Sequence, residues 1–208
     1  MTVHLIAIAG GSGSGKTWLA SHLQRRLGRR AGRLSLDDFY RDRADLPASQ
    51  RARINFDHPA AIDWALFRQC LQQIQRGEPT RLPRYDFTTH SRHPRPRLWR
   101  PKPVVLLDGL WLWHRPELRR LYACRVYVDC PEDLRLARRL ARDLADRGRS
   151  RASVLRQWRL QVKPMHDRWV APQRKQAEMI VMPELMKISL VRLAKTADAF
   201  LVGAHHDE

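Results

Sequence analysis

Apolar residues occur along this chain in short continuous runs that alternate with longer segments in which apolar positions recur with a helical period. The short runs predict buried strands at 3–9, 33–36, 104–109, 124–129 and 179–182. The periodic segments predict helices at 17–27, 59–75, 131–147, 150–166 and 185–202. This alternation indicates an α/β fold, a parallel sheet flanked by helices. A length of 208 residues suits a single domain, 1–208, with a sizeable core.

One segment departs from the alternation. Residues 77–103 are rich in proline and arginine and carry only short β-like pieces, around 82–87 and 98–100. The segment is too long for a simple connection, so it predicts a small β-hairpin excursion from the main sheet.

A glycine-rich loop follows the first predicted strand and leads into the first predicted helix. It fits the phosphate-binding pattern G-x-x-x-x-G-K-S/T, and its residues are Gly10, Gly11, Ser12, Gly13, Ser14, Gly15, Lys16 and Thr17. Glycines let the backbone amides turn toward phosphate oxygens, and the helix N-terminus adds its positive dipole end. Lys16 can reach the β- and γ-phosphates, and the Thr17 hydroxyl can bind Mg²⁺. The loop therefore predicts nucleoside triphosphate binding.

Carboxylates follow two of the predicted strands. Asp108 comes after four consecutive apolar residues, where it can hold Mg²⁺ directly or through water. Asp37 and Asp38 follow the second strand, at the sheet edge where ligands of open α/β sheets bind. A carboxylate there can orient an alcohol and take its proton. From the pattern alone, a turn role for Asp108 and a capping role for Asp37 and Asp38 remain open.

Arginines crowd one predicted helix. Spacings of three and four separate Arg135, Arg138, Arg139 and Arg142, which lie opposite Leu136, Leu140 and Leu144. Further arginines follow at 147, 149 and 151. Such a helix is either a solvated basic face or a lid that covers transferring phosphates, and the phosphate-binding loop favours the lid.

Two segments combine aromatic, acidic and imidazole groups, namely 55–59 and 85–92. Carboxylates can bind sugar hydroxyls, rings can stack on a base, and histidine can hydrogen-bond a base edge. Turn and capping roles explain the same residues equally well.

Composition narrows the class of protein. No apolar run approaches the length of a membrane span, and the N-terminus lacks the basic region of a signal peptide. The cysteines, Cys70, Cys124 and Cys130, lack metal-ligand spacing and suit reduced thiols in a cytoplasmic protein. The formal charge of +18 would attract polyanions. Because arginines are spread along the whole chain, codon bias explains them better than specific nucleic-acid binding.

In order and spacing, the motifs resemble the uridine kinase (uridine–cytidine kinase) family of P-loop kinases over roughly residues 3–182. The resemblance rests on segments 10–17, 35–40, 55–59, 85–92, 108–109, 138–150 and 162–165. It implies a P-loop kinase fold with an arginine-rich helical lid at about 138–160. It also implies phosphorylation of the 5′-hydroxyl of uridine or cytidine, with ATP or GTP as donor and Mg²⁺ as cofactor.

The resemblance assigns roles to individual residues. Asp37 matches the catalytic aspartate and is a further candidate for Mg²⁺, and Arg142 matches a lid arginine near the phosphates. The matched positions for nucleoside binding are Asp57 and Arg139 at the ribose, and Tyr85, His90, Arg149 and Gln157 around the pyrimidine, with Phe87 at its ring face. Arg135 matches no functional position. Family members are often tetramers, so a homo-oligomer is compatible with the resemblance.

Two positions depart from the family pattern. Asp108 stands where the family usually has glutamate, and the shorter side chain favours a water between it and Mg²⁺. After the last strand the family usually reads Pro-Arg-Gly, whereas this chain has Met182-Pro183-Glu184-Leu185. The choice between ATP and GTP therefore stays open.

Other functions compete with a pyrimidine nucleoside kinase. A related kinase could act on nicotinamide riboside, pantothenate or a phosphosugar, although segments 55–59 and 85–90 favour a nucleoside. The basic charge alone suggests a nucleotide-dependent nucleic-acid-binding protein. The two departures also leave room for a catalytically silent nucleotide-binding regulator.

Overall fold

The computed structural model describes residues 2–51 and 53–203. The predicted domain, 1–208, therefore extends at both ends beyond the described residues. The described strands are β1 His4–Gly10, β2 Ala31–Ser35, β3 Thr80–Leu82, β4 Tyr85–Asp86, β5 Ser91–Arg92, β6 Arg97–Trp99, β7 Val104–Gly109, β8 Cys124–Val128 and β9 Met179–Val181. A five-stranded parallel sheet forms the centre of the fold, with strand order β2-β7-β1-β8-β9. The predicted α/β fold with a parallel sheet is confirmed.

Helices cover both faces of the sheet. They are α1 Lys16–Leu27, α2 Ala48–Arg51, α3 Trp64–Gln75, α4 Pro116–Arg119, α5 Glu132–Asp146, α6 Arg151–Gln157, α7 Lys163–Met165 and α8 Met186–Gly203. Alternate residues of β1 enter two separate cores, because successive side chains of a strand point to opposite faces. Leu5 and Ala7 pack in one core with Phe67 of α3, and Ile6 and Ile8 pack in the other with α1 and α8.

The register of the parallel strands places several predicted site residues at one edge of the sheet. Asp108 lies beside Ile8 of β1 on one side and beside Ser35 of β2 on the other. Because the three strands run parallel, their carboxyl ends open at the same edge of the sheet. The glycine-rich loop, the turn after β2 and Asp108 therefore share one crevice.

The excursion between α3 and β7 is an antiparallel hairpin with two ladders, as its composition predicts. In the first ladder Thr80 pairs with Trp99, and in the second Tyr85 pairs with Arg92. The second ladder carries the segment 85–92 toward the crevice.

Two predicted helices have different bounds in the structure. The helix predicted at 59–75 begins only at Trp64, because Pro59–Ala61 forms a 3-10 turn and Asp63 Oδ1 accepts the Leu66 amide at 3.1 Å as an N-cap. The helix predicted at 150–166 continues in helical form to residue 176. It passes Pro164 between two π-helical stretches, whose wider turns accommodate a residue without an amide hydrogen.

Within residues 2–51 and 53–203, none of the helices combines the length and the apolar character that crossing a bilayer requires.

Candidate active site

The loop between β1 and α1 owes its shape to glycine. Gly13 and Gly15 have φ angles of +80° and +99°, in the left-handed region that side chains disfavour. A Cβ on Gly13 would also lie 2.3 Å from the carbonyl oxygen of Arg135. The loop therefore packs its backbone directly on α5. Its amides stand at the N-terminus of α1, where a phosphate binds favourably.

Lys16 begins α1 and lies inside the crevice. Its Nζ donates a hydrogen bond to the Gly11 carbonyl oxygen at 3.3 Å. Burial lowers the pKa of Lys16, while the carboxylates of Asp37 and Asp108 act in the opposite direction. The ammonium is thus poised among carboxylates beside the phosphate-binding loop.

Asp108 and Thr17 form a small oxygen-rich group at the end of β7. Thr17 Oγ1 donates to Asp108 Oδ2 at 2.8 Å. Asp108 Oδ1 is buried and has no hydrogen-bond partner among the residues described. Burial raises the pKa of this carboxyl, and the Thr17 hydroxyl partly offsets that rise. A magnesium ion would fit here, since it prefers oxygen ligands and takes few of them from protein.

The two adjacent carboxylates after β2, Asp37 and Asp38, face different cavities. Both lie in a 3-10 turn, Leu36–Phe39, which Ser35 caps by accepting the Asp37 amide at 3.3 Å. Asp37 faces a cavity that Lys16 and Thr17 also line, whereas Asp38 faces a different cavity. The turn therefore makes Asp37 the carboxylate near the phosphate-binding loop.

The main cavity has a volume of about 750 Å³. The sequence-predicted residues that line it are Ser12, Lys16, Thr17, Asp37, Asp57, Tyr85, Phe87, His90, Arg139, Arg142, Arg149 and Gln157. The remaining predicted residues, Gly10, Gly11, Gly13, Ser14, Gly15 and Asp108, are not in its lining. The glycines and Ser14 belong to the adjoining loop, and Asp108 lies behind Thr17.

Aromatic side chains form one wall of the cavity. Tyr40, Phe56, Tyr85 and Phe87 meet there, with Tyr40 and Tyr85 rings 5.1 Å apart. His90 stacks on Phe56 with ring centroids 4.4 Å apart, and its φ of 53° places the residue in a strained turn. Tyr85 Oη and His90 Nδ1 are buried without hydrogen-bond partners among the described residues. This wall offers flat faces together with two unpartnered polar atoms.

The opposite wall belongs to α5, and its centre is a carboxylate. Asp143 is fully buried, and its oxygens lie 3.4 Å from Arg139 Nε, 2.7 Å from Arg142 Nη2 and 3.7 Å from Arg147 Nη1. Arg149 Nη1 lies 3.9 Å away. One carboxylate thus collects four guanidinium groups beside the cavity.

Arg139 joins three parts of the site. It donates to Ser12 Oγ in the loop and to Gln157 Oε1 in α6, each at 2.8 Å. Its Nη1 also lies 4.0 Å from Asp57 Oδ1. Arg149 donates to the same Gln157 oxygen. Burial raises the pKa of Asp57, and the positive charge of Arg139 opposes that rise.

The sequence of this chain matches the model of the Phosphoribulokinase / Uridine kinase family over residues 5–187. A curated uridine kinase from Chloroflexus aggregans is 41% identical over 177 residues, which cover 85% of each chain. The chain belongs to this family. The predicted resemblance to uridine kinases is confirmed.

Solved structures show the same fold. A putative fructose transport system kinase from Silicibacter sp. TM1040 is similar with a TM-score of 0.69 and 19% identity, covering 86% of this chain and 89% of that one. A possible uridine kinase from Bacillus stearothermophilus has a TM-score of 0.61 and 20% identity, covering 87% and 89%. At this level of identity the likeness concerns the fold.

Two arginines of the arginine-rich helix in this family member are buried, whereas Arg138 is exposed. Arg135 and Arg139 are only 4% exposed, whereas Leu144 on the same helix is 43% exposed. Arg135, for which the sequence indicates no function, packs against the phosphate-binding loop, where its Nη1 would lie 2.6 Å from a Cβ on Gly11. It donates to the Cys130 carbonyl and lies over the Trp158 ring. Arg135 is therefore part of the loop's support.

Sequence reasoning assigned no role to Asp143 and named Arg147 only as part of the arginine run. Asp143 is the centre of the arginine cluster, and Arg147 lies over the Phe87 ring at 5.3 Å, which joins α5 to the hairpin. A signal was present, because Arg139, Asp143 and Arg147 follow each other at intervals of four and so share one helix face. That spacing predicts ion pairs but not their burial.

Proposed function

We propose that this protein transfers the γ-phosphoryl group of ATP or GTP to the 5′-hydroxyl of uridine or cytidine, giving UMP or CMP. The observation that carries the proposal is one cavity lined by Lys16 and Thr17, by Asp37, and by an aromatic wall facing the Asp57–Arg139 pair. The relatives named uridine kinase support a nucleoside as acceptor.

Asp37 acts on the acceptor alcohol. Its carboxylate takes the proton of the 5′-hydroxyl while that oxygen forms a bond to the γ-phosphorus. The bond between the γ-phosphorus and the β–γ bridging oxygen breaks, and the nucleoside diphosphate leaves with that electron pair. Lys16 stabilises the charge on the β- and γ-phosphates. Arg142, whose side chain is 37% exposed at the cavity, does the same from the lid.

Asp57 and Arg139 bind the ribose hydroxyls. A carboxylate accepts from these hydroxyls, and a guanidinium donates to their oxygens. Because Arg139 also contacts Ser12 of the phosphate-binding loop, the ribose and the donor phosphates are held by one connected set of side chains. Such a connection orients the two substrates toward each other.

The aromatic wall binds the pyrimidine. Tyr85 and His90 supply hydrogen-bonding atoms, Phe87 supplies a ring face, and Arg149 and Gln157 approach from the lid. Burial and the charge of Arg149 lower the pKa of His90, so its imidazole is neutral near pH 7. A neutral imidazole can donate or accept, which suits both the uracil O4 and the cytosine amino group.

Thr17 and Asp108 would hold Mg²⁺, and Asp37 is a further candidate for this role. The unpartnered Asp108 Oδ1 is the structural feature that fits a cation. When bound, the ion would neutralise charge on the donor phosphates.

The partners in this proposal are a nucleoside and a nucleotide, and the choice between ATP and GTP is part of what the experiment decides. We place the reaction in the cytoplasm, which the three unpaired cysteines support. Neither a membrane nor a specific nucleic acid is required.

A substrate panel tests the proposal. Uridine, cytidine, nicotinamide riboside, pantothenate and a phosphosugar would each be incubated with ATP or GTP and Mg²⁺, and nucleoside diphosphate formation measured. Uridine and cytidine should give the highest kcat/KM. A higher value for pantothenate or a phosphosugar would overturn the proposed acceptor, and salt-sensitive RNA binding without turnover would favour a nucleic-acid-binding protein.

A further inference from the structure

A second cavity, of about 660 Å³, lies between β2 and the hairpin, and the proposed reaction does not use it. Its walls come from β2, from Asp38 and from the hairpin residues Arg84, Arg97 and Trp99. Its volume is that of a typical small-molecule site.

The cavity has an excess of positive charge. Arg33, Arg84, Arg97 and Lys102 line it, and Asp38 is the one carboxylate among its described lining residues. Within the part of the chain that the structure describes, none of these four cations forms an ion pair. Arg33 is half-buried and donates only to Ser21 Oγ, at 2.7 Å. Four cations around a single carboxylate create a net positive potential that favours an anion.

Some arginines elsewhere in the molecule form ion pairs with carboxylates. Arg125 pairs with Glu178 at one edge of the sheet, and Arg174 pairs with Asp129. The arginines of the main cavity share Asp143. The cations around the second cavity are therefore not explained by ion pairing within the fold.

Trp99 adds a flat surface to the same cavity. Its indole packs against Gly32 so closely that a Cβ there would lie 2.5 Å from Trp99 Cζ2. This contact fixes the ring, which remains half-buried at the cavity wall. A fixed indole among guanidinium groups suits a planar base attached to a phosphate, because arginine binds phosphate oxygens and aromatic rings stack on bases.

The two cavities share a wall. Tyr85 lines both of them, and its backbone amide opposes the rise in the pKa of Asp38 that burial causes. Asp37 and Asp38 are consecutive residues of one turn, and each faces a different cavity. A ligand in the second cavity can thus alter the position of two residues of the first.

We propose that the second cavity binds a nucleotide, through its phosphate at Arg97 and Lys102 and its base at Trp99. Occupancy then changes nucleoside binding through Tyr85 and the Asp37–Asp38 turn. The coupling rests on the proposed function, whereas the binding does not.

Binding is tested by titrating the protein, saturated with uridine and a non-hydrolysable ATP analogue, with AMP, ribose 5-phosphate or adenosine. The Arg97→Ala/Lys102→Ala variant should weaken AMP binding about tenfold or more, since two charged contacts are lost. AMP binding next to Trp99 should change the tryptophan fluorescence of the protein, and Trp99→Phe should abolish that change. The matched control, Arg95→Ala/Arg100→Ala, removes the same charge from exposed hairpin positions outside the cavity and should leave AMP binding unchanged.

Three results would overturn the binding site: AMP affinity equal in wild type and Arg97→Ala/Lys102→Ala, an equal loss in the control, or ribose 5-phosphate binding as tightly as AMP. Coupling is measured separately, as a change in the uridine KM that AMP causes in wild type and not in Arg97→Ala/Lys102→Ala. AMP binding with an unchanged KM would reject the coupling alone. Absence of any uridine turnover would instead reject the proposed function.

Discussion

The phosphate-binding loop and the arginine-rich helices α5 and α6, which include the proposed lid, line one cavity but keep their shapes by different means. The backbone determines the shape of the loop, because Gly13 and Gly15 adopt left-handed conformations and α1 begins directly after them. Side chains determine the shape of the lid, through the ion pairs around Asp143. A backbone site survives the loss of a side chain, whereas a side-chain network loses its geometry when its central charge is removed.

Because the backbone holds the loop in shape, we expect a substitution at Lys16 to cause the largest loss of activity without loss of structure. Lys16→Ala should lower kcat by about 10³ or more, because it removes a preorganised charge from the phosphates. The melting temperature should change little, since the loop is held by glycine backbone. Steady-state kinetics and thermal denaturation measure the two quantities. Lys175→Ala removes an exposed lysine and is the control; full activity in folded Lys16→Ala would exclude the kinase mechanism.

Asp37→Asn should lower kcat by about 10², the usual cost of losing a general base. The KM for ATP should change less. Asp38→Asn is the matched control, because it makes the same change one residue away in the second cavity. If Asp38→Asn is the more damaged enzyme, Asp38 rather than Asp37 takes the proton.

Asp143→Asn should damage the lid as a unit. Four arginines lose their shared counter-charge, so the uridine KM should rise and kcat should fall, each by about tenfold to a hundredfold. The KM for ATP should move less, because the loop keeps its own backbone geometry. Asp133→Asn removes an exposed carboxylate of the same helix and should be nearly neutral. Equal effects of both substitutions on the uridine KM would contradict a central role for Asp143.

Substitutions of individual lid arginines should affect different kinetic parameters. Arg142→Ala should mainly lower kcat and Arg139→Ala should mainly raise the uridine KM, each by about tenfold. Arg135 is unsuitable as the control, because it supports the loop. Arg156 is exposed and precedes Gln157, so it is the better control. Arg156→Ala removes the same charge from the lid and should change neither parameter. Identical behaviour of all three variants would mean that only total charge matters.

The smallest effect is expected at His90, the residue proposed to contact the pyrimidine base. His90→Gln should change the uridine-to-cytidine ratio of kcat/KM by about threefold to tenfold while leaving the KM for ATP unchanged. Because burial lowers the pKa of His90, its imidazole is less protonated than a free histidine at the same pH. The uridine KM should therefore change less between about pH 7.5 and pH 6.5 than the titration of a free histidine would cause. A KM that follows the titration of a free histidine across this range, or an unchanged ratio, would count against His90 as a base-reading residue.

The sheet and the loop were predictable because their signals are local. Apolar runs mark β1 and β7, and the glycine-rich loop between β1 and α1 has a fixed spacing of glycine and lysine residues. The lid was predictable in composition only. Which face of α5 is buried depends on the loop that packs against it, and no periodicity within the helix contains that information.

The turn after β2 shows the same limit more sharply. Asp37 and Asp38 are indistinguishable in a pattern of apolar and polar residues, yet a single 3-10 turn sends them into different cavities. Pro164 shows it for helices, since local rules place a boundary there and tertiary packing carries the helix past it. The hairpin, by contrast, was signalled by length and composition.

The inverted burial of α5 changes how sequence variation in this protein should be interpreted. On an ordinary helix, a leucine replaced by lysine signals damage and an arginine replaced by leucine is tolerated at the surface. Here Leu144 is exposed and Arg139 is in the interior, so the tolerance is reversed at these two positions. A hydrophilic substitution at Leu144 would meet solvent, whereas a hydrophobic one at Arg139 would remove one of the four arginines around Asp143 and leave Asp57 buried without its ion-pair partner.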